Sequence, residues 1–271
     1  MQTTRPFSER LRAGDLLFGT LVVSPSPMWP RAIEGSGLDF VFIDTEHIAL
    51  DRGQVSWMCQ TYSRTGLPPI VRIPSPDPFE ATKMLDGGAA GIIAPYVETV
   101  EQAQALRGAV KLRPLKGQRL EERLAGGSFE PALEEYVQRR NEQALILNIE
   151  SVPAIEALDQ ILAVPDLDAV LIGPHDLSCS LGIPEQYAHP KFREAVRTIF
   201  GKARAAGIGA GIHFWGDLEL EAAFAREGAN MLIHSADISL FQKHLRLEVD
   251  ALKATLGAKK TSGSEAEKIS I

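Results

Sequence analysis

Three features of the sequence predict a (β/α)₈ barrel. Short apolar runs, eight in all, alternate with longer amphipathic segments along 271 residues. The cores of those runs are continuous (VFI, ALIL, AVLI, MLI), the pattern of strands buried on both faces of a parallel sheet. That many alternations in one domain of this length favour closure into a barrel. An open doubly wound sheet is the rival architecture, which a G-x-G-x-x-G fingerprint would support. Gly207, Gly209 and Gly211 are spaced otherwise and fall in a strand-like run, while Gly87, Gly88 and Gly91 lead into one and read as packing.

In chain order, the predicted strands are Leu17–Val23, Phe40–Asp44, Ile70–Ile73, Gly91–Val97, Ala144–Ile149, Ala169–Ile172, Ile208–Phe214 and Asn230–His234. Predicted helices lie between and after them. Asp77–Leu85 opens with an N-cap residue followed by Pro78. Thr99–Val110 has Gln102 at capping-box spacing from Thr99. Pro153–Leu162, Pro190–Ala205, Asp217–Arg226 and Leu240–Leu256 complete the set, and Gly87, Gly207 and Gly228 stand where helix C-termini are capped. The basic stretch 113–127 and a helix over Phe129–Arg140 read as an insertion before strand five. One barrel domain therefore spans 1–256, and the polar tail 257–271 reads as disordered.

Bulk properties narrow the function. A net charge of −7 offers no basic footprint for nucleic acid or an anionic membrane. No apolar run approaches the ~20 residues of a membrane helix, and the first residues lack the apolar core of a signal peptide. Two cysteines without metal-site or redox-motif spacing suit a reducing cytoplasm.

Active sites of barrels form at the carboxyl ends of the strands. The second strand ends in Asp44-Thr45-Glu46-His47, the third in Arg72, and the fifth in Glu150. The sixth ends in Gly173-Pro174-His175-Asp176, and the seventh in His213. Glu150 and Asp176 are either helix N-caps or a carboxylate pair for a hard divalent cation, which needs only one or two carboxylates and keeps places for water and substrate. Arg72, inside an apolar strand, is either half of a structural ion pair or a cation beside a developing oxyanion. Asp44 precedes His47 by three residues, a spacing that lets a carboxylate orient an imidazole base. His175 and His213 read as packed or substrate-shaping residues.

The segments IDTEH (43–47), PIVRIP (69–74), NIES (148–151) and IGPHDLSCSLG (172–182) resemble the metal-dependent class II pyruvate aldolases. That family includes 2-keto-3-deoxyglucarate and 4-hydroxy-2-oxoheptanedioate aldolases and is related to the citrate lyase β-subunit. The similarity runs from about Gly19 to about Leu245. It implies a barrel that uses Mg²⁺, Mn²⁺ or Co²⁺ to cleave a 4-hydroxy-2-oxo acid, reversibly, to pyruvate or a close analogue plus an aldehyde. By matching motif, Glu150 and Asp176 would hold the metal and Arg72 would stabilise the enolate oxygen. His47, paired with Asp44, would move protons, with Glu46 behind it. The N–H groups of His175 and Asp176 would hold the substrate carboxylate. The resemblance also implies a homo-oligomer, a hexamer or trimer of dimers, with the last helix on a neighbour.

The chemistry is coherent without a Schiff-base lysine, since a chelated metal is the electron sink. Lys83 and Lys116 are poorly placed for one. The sequence departs from the family at Thr20, Arg119-Leu120, His175 and His213, so the surroundings of His175, His213 and Arg119 are expected to choose the aldehyde. Two other functions share part of the motif. One is a malyl- or citramalyl-CoA-type lyase, with the basic insertion as a nucleotide surface; the other is a non-catalytic oxo-acid-binding barrel.

Overall fold

A computed structural model describes residues 5–138 and 142–258. The first half of the chain runs α1 (Phe7–Ala13), β1 (Leu17–Leu21), α2 (Trp29–Ile33), β2 (Phe40–Asp44), α3 (Arg52–Arg64), β3 (Pro69–Arg72), α4 (Pro78–Asp86), β4 (Gly91–Ala94), α5 (Val100–Lys111), α6 (Gly117–Leu124) and α7 (Pro131–Gln138). The second half runs β5 (Ala144–Asn148), α8 (Val152–Glu156), α9 (Leu158–Leu162), β6 (Ala169–Ile172), α10 (Pro174–Ser180), α11 (Pro190–Ala205), β7 (Gly209–Phe214), α12 (Leu218–Arg226), β8 (Met231–Ala236) and α13 (Asp237–Thr255). The eight strands close in sequence order, and every pairing is parallel.

Burial on both strand faces divides the core in two. Alternate residues, among them Phe40, Phe42, Ile70, Ile146, Leu171 and Ile233, fill the barrel. The residues between them, such as Val41, Ile43, Val71, Leu147 and Val170, pack under the helices. Successive strand side chains point to opposite faces, so one chain segment feeds both layers. Phe7 and Leu11 of α1 join the interior set, with the Phe7 ring 5.0 Å from Phe40, and so plug the N-terminal end.

Five helices were not expected from the sequence: α1, α2, α3, α6 and α10. For α3 the signal is nevertheless there. Asp51 and Gln54 make a complete capping box, and Val55, Met58, Cys59 and Tyr62 form a buried stripe at helical spacing. The insertion before strand five is real. Helices α6 and α7 bury Leu112, Leu115 and Val137 as a small core of their own. The predicted helix over Phe129–Arg140 is shorter, Pro131–Gln138, and its last expected positions, 139 and 140, lie outside the described residues. The same holds for the expected tail from 259 onward. Both cysteines are free, Cys59 buried and Cys179 exposed.

Helix α5 starts beyond the C-terminal end of β4 and runs back down the barrel. Its last residue, Lys111, lies 2.5 Å from Asp168, which precedes β6. The insertion therefore leaves from the N-terminal face. Among its described residues the arginines are matched: Arg113 with Asp86, Arg119 with Glu130 at 3.4 Å, and Arg123 with Glu134 at 2.7 Å. Within this chain, Arg119 cannot choose an aldehyde at the opposite end of the barrel. That expectation is corrected by topology.

Candidate active site

The period of two explains why certain polar residues meet at the C-terminal end. Asp44 continues the inward phase of Phe40 and Phe42, and Arg72 that of Ile70. Asn148 and Glu150 continue that of Ala144 and Ile146, and Gly173 that of Ala169 and Leu171. His213 keeps the phase of Gly209 and Gly211. His234 is out of phase with Met231 and Ile233, and it turns outward to Glu221, with Nδ1 at 2.7 Å from Oε2. A cavity of about 390 Å³ opens over the inward set. Its walls include His47, Arg72, Asn148, Asp176, His213 and Trp215.

Strands β2 and β3 are in register at Asp44 and Arg72. The Arg72 guanidinium donates to both Asp44 oxygens, from Nε at 2.7 Å and Nη2 at 2.8 Å, a bidentate fork. Nη1 lies 3.1 Å from Glu46 Oε2. The Asp44 carboxylate also accepts the backbone N–H of Glu46 at 3.0 Å and of His47 at 3.2 Å. Burial raises the Asp44 carboxyl, but the Arg72 hydrogen bonds and charge and those two N–H groups outweigh it, and the net displacement is downward. The expected pairing of Asp44 with the His47 imidazole is thus corrected. Asp44 is saturated by Arg72 and the turn. The carboxylate near the ring is Glu46, with Oε2 at 3.7 Å from Nε2.

Glu150 is buried (2% exposed) and is no N-cap; that place belongs to Ser151, which accepts from Ala154 N–H. Glu150 Oε1 accepts the Tyr96 N–H at 2.8 Å and Oε2 accepts Asn148 Nδ2–H at 2.8 Å. Burial first, and then the negative charge of Asp176, push its carboxyl up to about 7 against the pull of the Tyr96 N–H. Asp176 lies in the first turn of α10, whose N-cap is Gly173. Gly173 is the hinge of the arrangement. A Cβ there would collide with Glu150 Oε2 and lie 3.6 Å from Asp176 Oδ2, so only glycine leaves both oxygens their common space.

An oxygen-only pair of carboxylates fits a hard divalent cation. The buried Asn148 Oδ1, which has no hydrogen-bond partner, adds a further acceptor on the cavity wall. Among the described residues no cluster of three or more His, Cys, Asp or Glu side chains forms a metal cage.

His213 packs edge-on to Phe42 (5.5 Å) and Trp215 (5.0 Å). Its Nε2 is 3.1 Å from the Ser235 carbonyl, so Nε2 carries the hydrogen. Burial, and then the Arg72 charge, lower its pKa to about 4. His175 stands at the mouth, half-exposed, with Nε2 3.8 Å from Cys179 Sγ and Nδ1 3.8 Å from Glu185.

Two residues were missed in the sequence, Asn148 and Tyr96. Asn148 could have been found by counting back two from Glu150. Tyr96 could not. It follows β4 through Pro95 with a left-handed backbone (φ 49°), out of phase with the strand.

A family model described as HpcH/HpaI aldolase/citrate lyase matches residues 18–243. The chain is 30% identical over 247 residues to a 2-keto-3-deoxy-L-rhamnonate aldolase of Salmonella gallinarum, a match covering 89% of this chain and 91% of that one. Among solved structures it resembles an HpcH/HpaI aldolase from Desulfitobacterium hafniense DCB-2. The two share 30% identity at a TM-score of 0.78, over 92% and 97% of the respective chains. Citrate synthase SbnG is equally similar, with 30% identity and a TM-score of 0.78 over 92% of this chain and 98% of that one.

Proposed function

The chain belongs to the HpcH/HpaI aldolase/citrate lyase family, and on that premise we propose that it is a divalent-metal-dependent aldolase. It cleaves a 4-hydroxy-2-oxo acid to pyruvate, or a close analogue, and an aldehyde, and it runs the addition in reverse. The observation that carries the reading is the pair Glu150 and Asp176 across Gly173, beside a guanidinium fixed by two carboxylates.

Glu150 and Asp176 would hold the cation, Mg²⁺, Mn²⁺ or Co²⁺, which when bound supplies Lewis-acid stabilisation of negative charge on the oxo acid. Arg72 is locked by Asp44 and Glu46 before substrate arrives, so donors that remain on the guanidinium can meet the developing enolate oxygen without reorganising. The free N–H groups of His175 and Asp176, in the first turn of α10, would receive the substrate carboxylate. His47 takes the proton of the C4 hydroxyl as the C3–C4 bond breaks and its electron pair passes to the enolate, which becomes pyruvate on taking a proton from solvent at C3. In the addition direction His47 returns the proton to the new C4 hydroxyl. Asp44 acts on this step through Arg72 and the turn that carries His47. Glu46, between Arg72 and His47, is the carboxylate that senses both. His213, with His175, faces the aldehyde.

The oligomer belongs to the same reading. Of α13 only Asp237 is buried, and Leu240, Phe241, Leu245, Leu252 and others are exposed along it. A helix with that much uncovered apolar surface is suited to further copies of this chain, as in a hexamer or trimer of dimers. No helix among the described residues is long and apolar enough to cross a membrane, which accords with a cytoplasmic enzyme acting on small molecules. The CoA-lyase reading is less favoured, because Arg113, Arg119 and Arg123 of the basic stretch are matched by carboxylates at the other end of the barrel.

The test is pyruvate release from a panel of 4-hydroxy-2-oxo acids, followed with lactate dehydrogenase and NADH. Chelation of divalent metal should abolish it, and Mn²⁺ should restore it. Full turnover in chelator would refute the metal-dependent reading.

A further inference from the structure

We infer that Tyr96 is a positioning residue that holds one oxygen of each rim carboxylate, above all Asp176 Oδ1, and so sets which cation the site accepts. The inference rests on the proposal that Glu150 and Asp176 are the ligands. One residue reaches both. The Tyr96 backbone N–H donates to Glu150 Oε1 at 2.8 Å, and its phenol donates to Asp176 Oδ1 at 2.9 Å. The other two oxygens border the space over Gly173: Asp176 Oδ2, and Glu150 Oε2, which also accepts the Asn148 amide at 2.8 Å.

The chain makes this double reach by bending sharply after β4. Tyr96 takes φ 49°, a region that a bulky aromatic residue occupies only when its surroundings hold it there. The left-handed step turns the N–H toward the barrel interior while the ring, itself 43% exposed, extends over the rim to α10. No core packing requires the phenol to be there.

The consequence is chemical. Ca²⁺ takes six to eight oxygens and readily uses carboxylates in the bidentate mode, whereas Mg²⁺ and Mn²⁺ suit octahedral sites in which each carboxylate gives one oxygen. On Asp176 the phenol holds Oδ1 while Oδ2 is left for the cation, which disfavours a bidentate grip. On Glu150 both oxygens carry one hydrogen bond, and Oε2 is the one that borders the space over Gly173. Partners of this kind around a metal ligand commonly change metal affinity by about 10- to 100-fold. Tyr96 therefore acts against Ca²⁺ more than it acts for any smaller ion.

Binding of the metal alone tests this. Mn²⁺ is titrated into chelator-stripped full-length protein, free Mn²⁺ is read by electron paramagnetic resonance, and Ca²⁺ is then added in competition. In the wild type Ca²⁺ should displace Mn²⁺ poorly. In Tyr96→Phe, which frees Asp176 Oδ1 but keeps the ring and the backbone bond to Glu150, the ratio of Ca²⁺ to Mn²⁺ dissociation constants should fall about tenfold. Tyr96→Asn, whose side chain tolerates the left-handed backbone and also lacks the phenol, should fall likewise. A general loss of folded protein would lower both affinities and leave the ratio alone. An unchanged ratio in both variants overturns the role of Tyr96 while leaving the two-carboxylate site intact. A wild type that binds no Mn²⁺ overturns the site and this inference together.

Discussion

At the N-terminal face of the barrel, Asp168 accepts the Leu145 N–H at 2.8 Å and lies 2.5 Å from Lys111 Nζ, with Arg12 on its other oxygen. At the C-terminal face, Glu150 and Asp176 receive hydrogen bonds only from neutral donors, Tyr96 and Asn148. Both places bury acidic groups. Burial works against both members of the lower pair, raising the Asp168 carboxyl and lowering the Lys111 ammonium, and their mutual attraction opposes it. The lower cluster is electrically closed by the chain itself. The upper one carries negative charge toward a cavity, and the nearest cation, Arg72, is already engaged by Asp44 and Glu46. A buried charge with its protein counter-ion is a structural device, and a buried charge without one points to a ligand.

The largest expected effect tests the upper half of that contrast. Glu150→Gln should cut pyruvate release on the order of 10³-fold or more, since it removes a ligand oxygen and its charge at the reacting centre. Stability should not suffer. The amide buries no charge beside Asp176, and Asn148, whose Oδ1 has no partner, can turn that oxygen toward the new donor. The paired measurement is kcat with a urea-unfolding midpoint. A variant that is clearly destabilised yet still active would place Glu150 with Asp168, among the structural charges.

The two faces were unequally legible in the sequence. Runs such as AVLI announce strands buried on both sides, and their number announces the barrel. Acidic and basic residues at strand ends, Asp44, Arg72, Glu150 and Asp176, stand out because charge is costly in apolar runs. Which partner each one takes is a different matter. Asp44 and Arg72 are separated by 28 positions, and only the register of β2 on β3 joins them, so local spacing suggested His47 instead. Tyr96 depends on a backbone turn that no periodicity encodes. The lower cluster was invisible for the same reason: Arg12, Lys111 and Asp168 come from three distant segments.

The next effect belongs to that cluster. Lys111→Met should destabilise the fold by about 3–5 kcal/mol, the usual result of removing one partner of a buried ion pair. Turnover of the protein that remains folded should be unchanged, because Lys111 lies at the far end of the barrel from the cavity. The check is a urea titration beside kcat normalised to folded protein. A loss of turnover without a loss of stability would mean that the two faces are coupled, and the contrast between them would break.

The smallest effect sharpens the contrast inside the rim itself. His213 sits below the carboxylates, next to Arg72, and is held neutral: its pKa falls from 6.5 to about 4. In the unfolded chain the imidazole regains its ordinary value, so between these two pH values the unfolded state binds more protons. Stability from this group is therefore fully present above about pH 6.5 and drains away as pH falls toward 4. At pH 5 the difference amounts to about 2 kcal/mol relative to pH 7.5, at roughly 1.4 kcal/mol per pH unit. Glu150, with its carboxyl raised to about 7, titrates with the opposite sign over part of the same interval, but it is present in the wild type and in His213→Leu alike. The wild type should thus lose about 2 kcal/mol more than His213→Leu between pH 7.5 and pH 5 in urea unfolding. Equal losses would mean that the imidazole is charged in the folded barrel. The interior beneath the rim would then tolerate a second cation beside Arg72, and the negative excess at the rim would already be balanced from within.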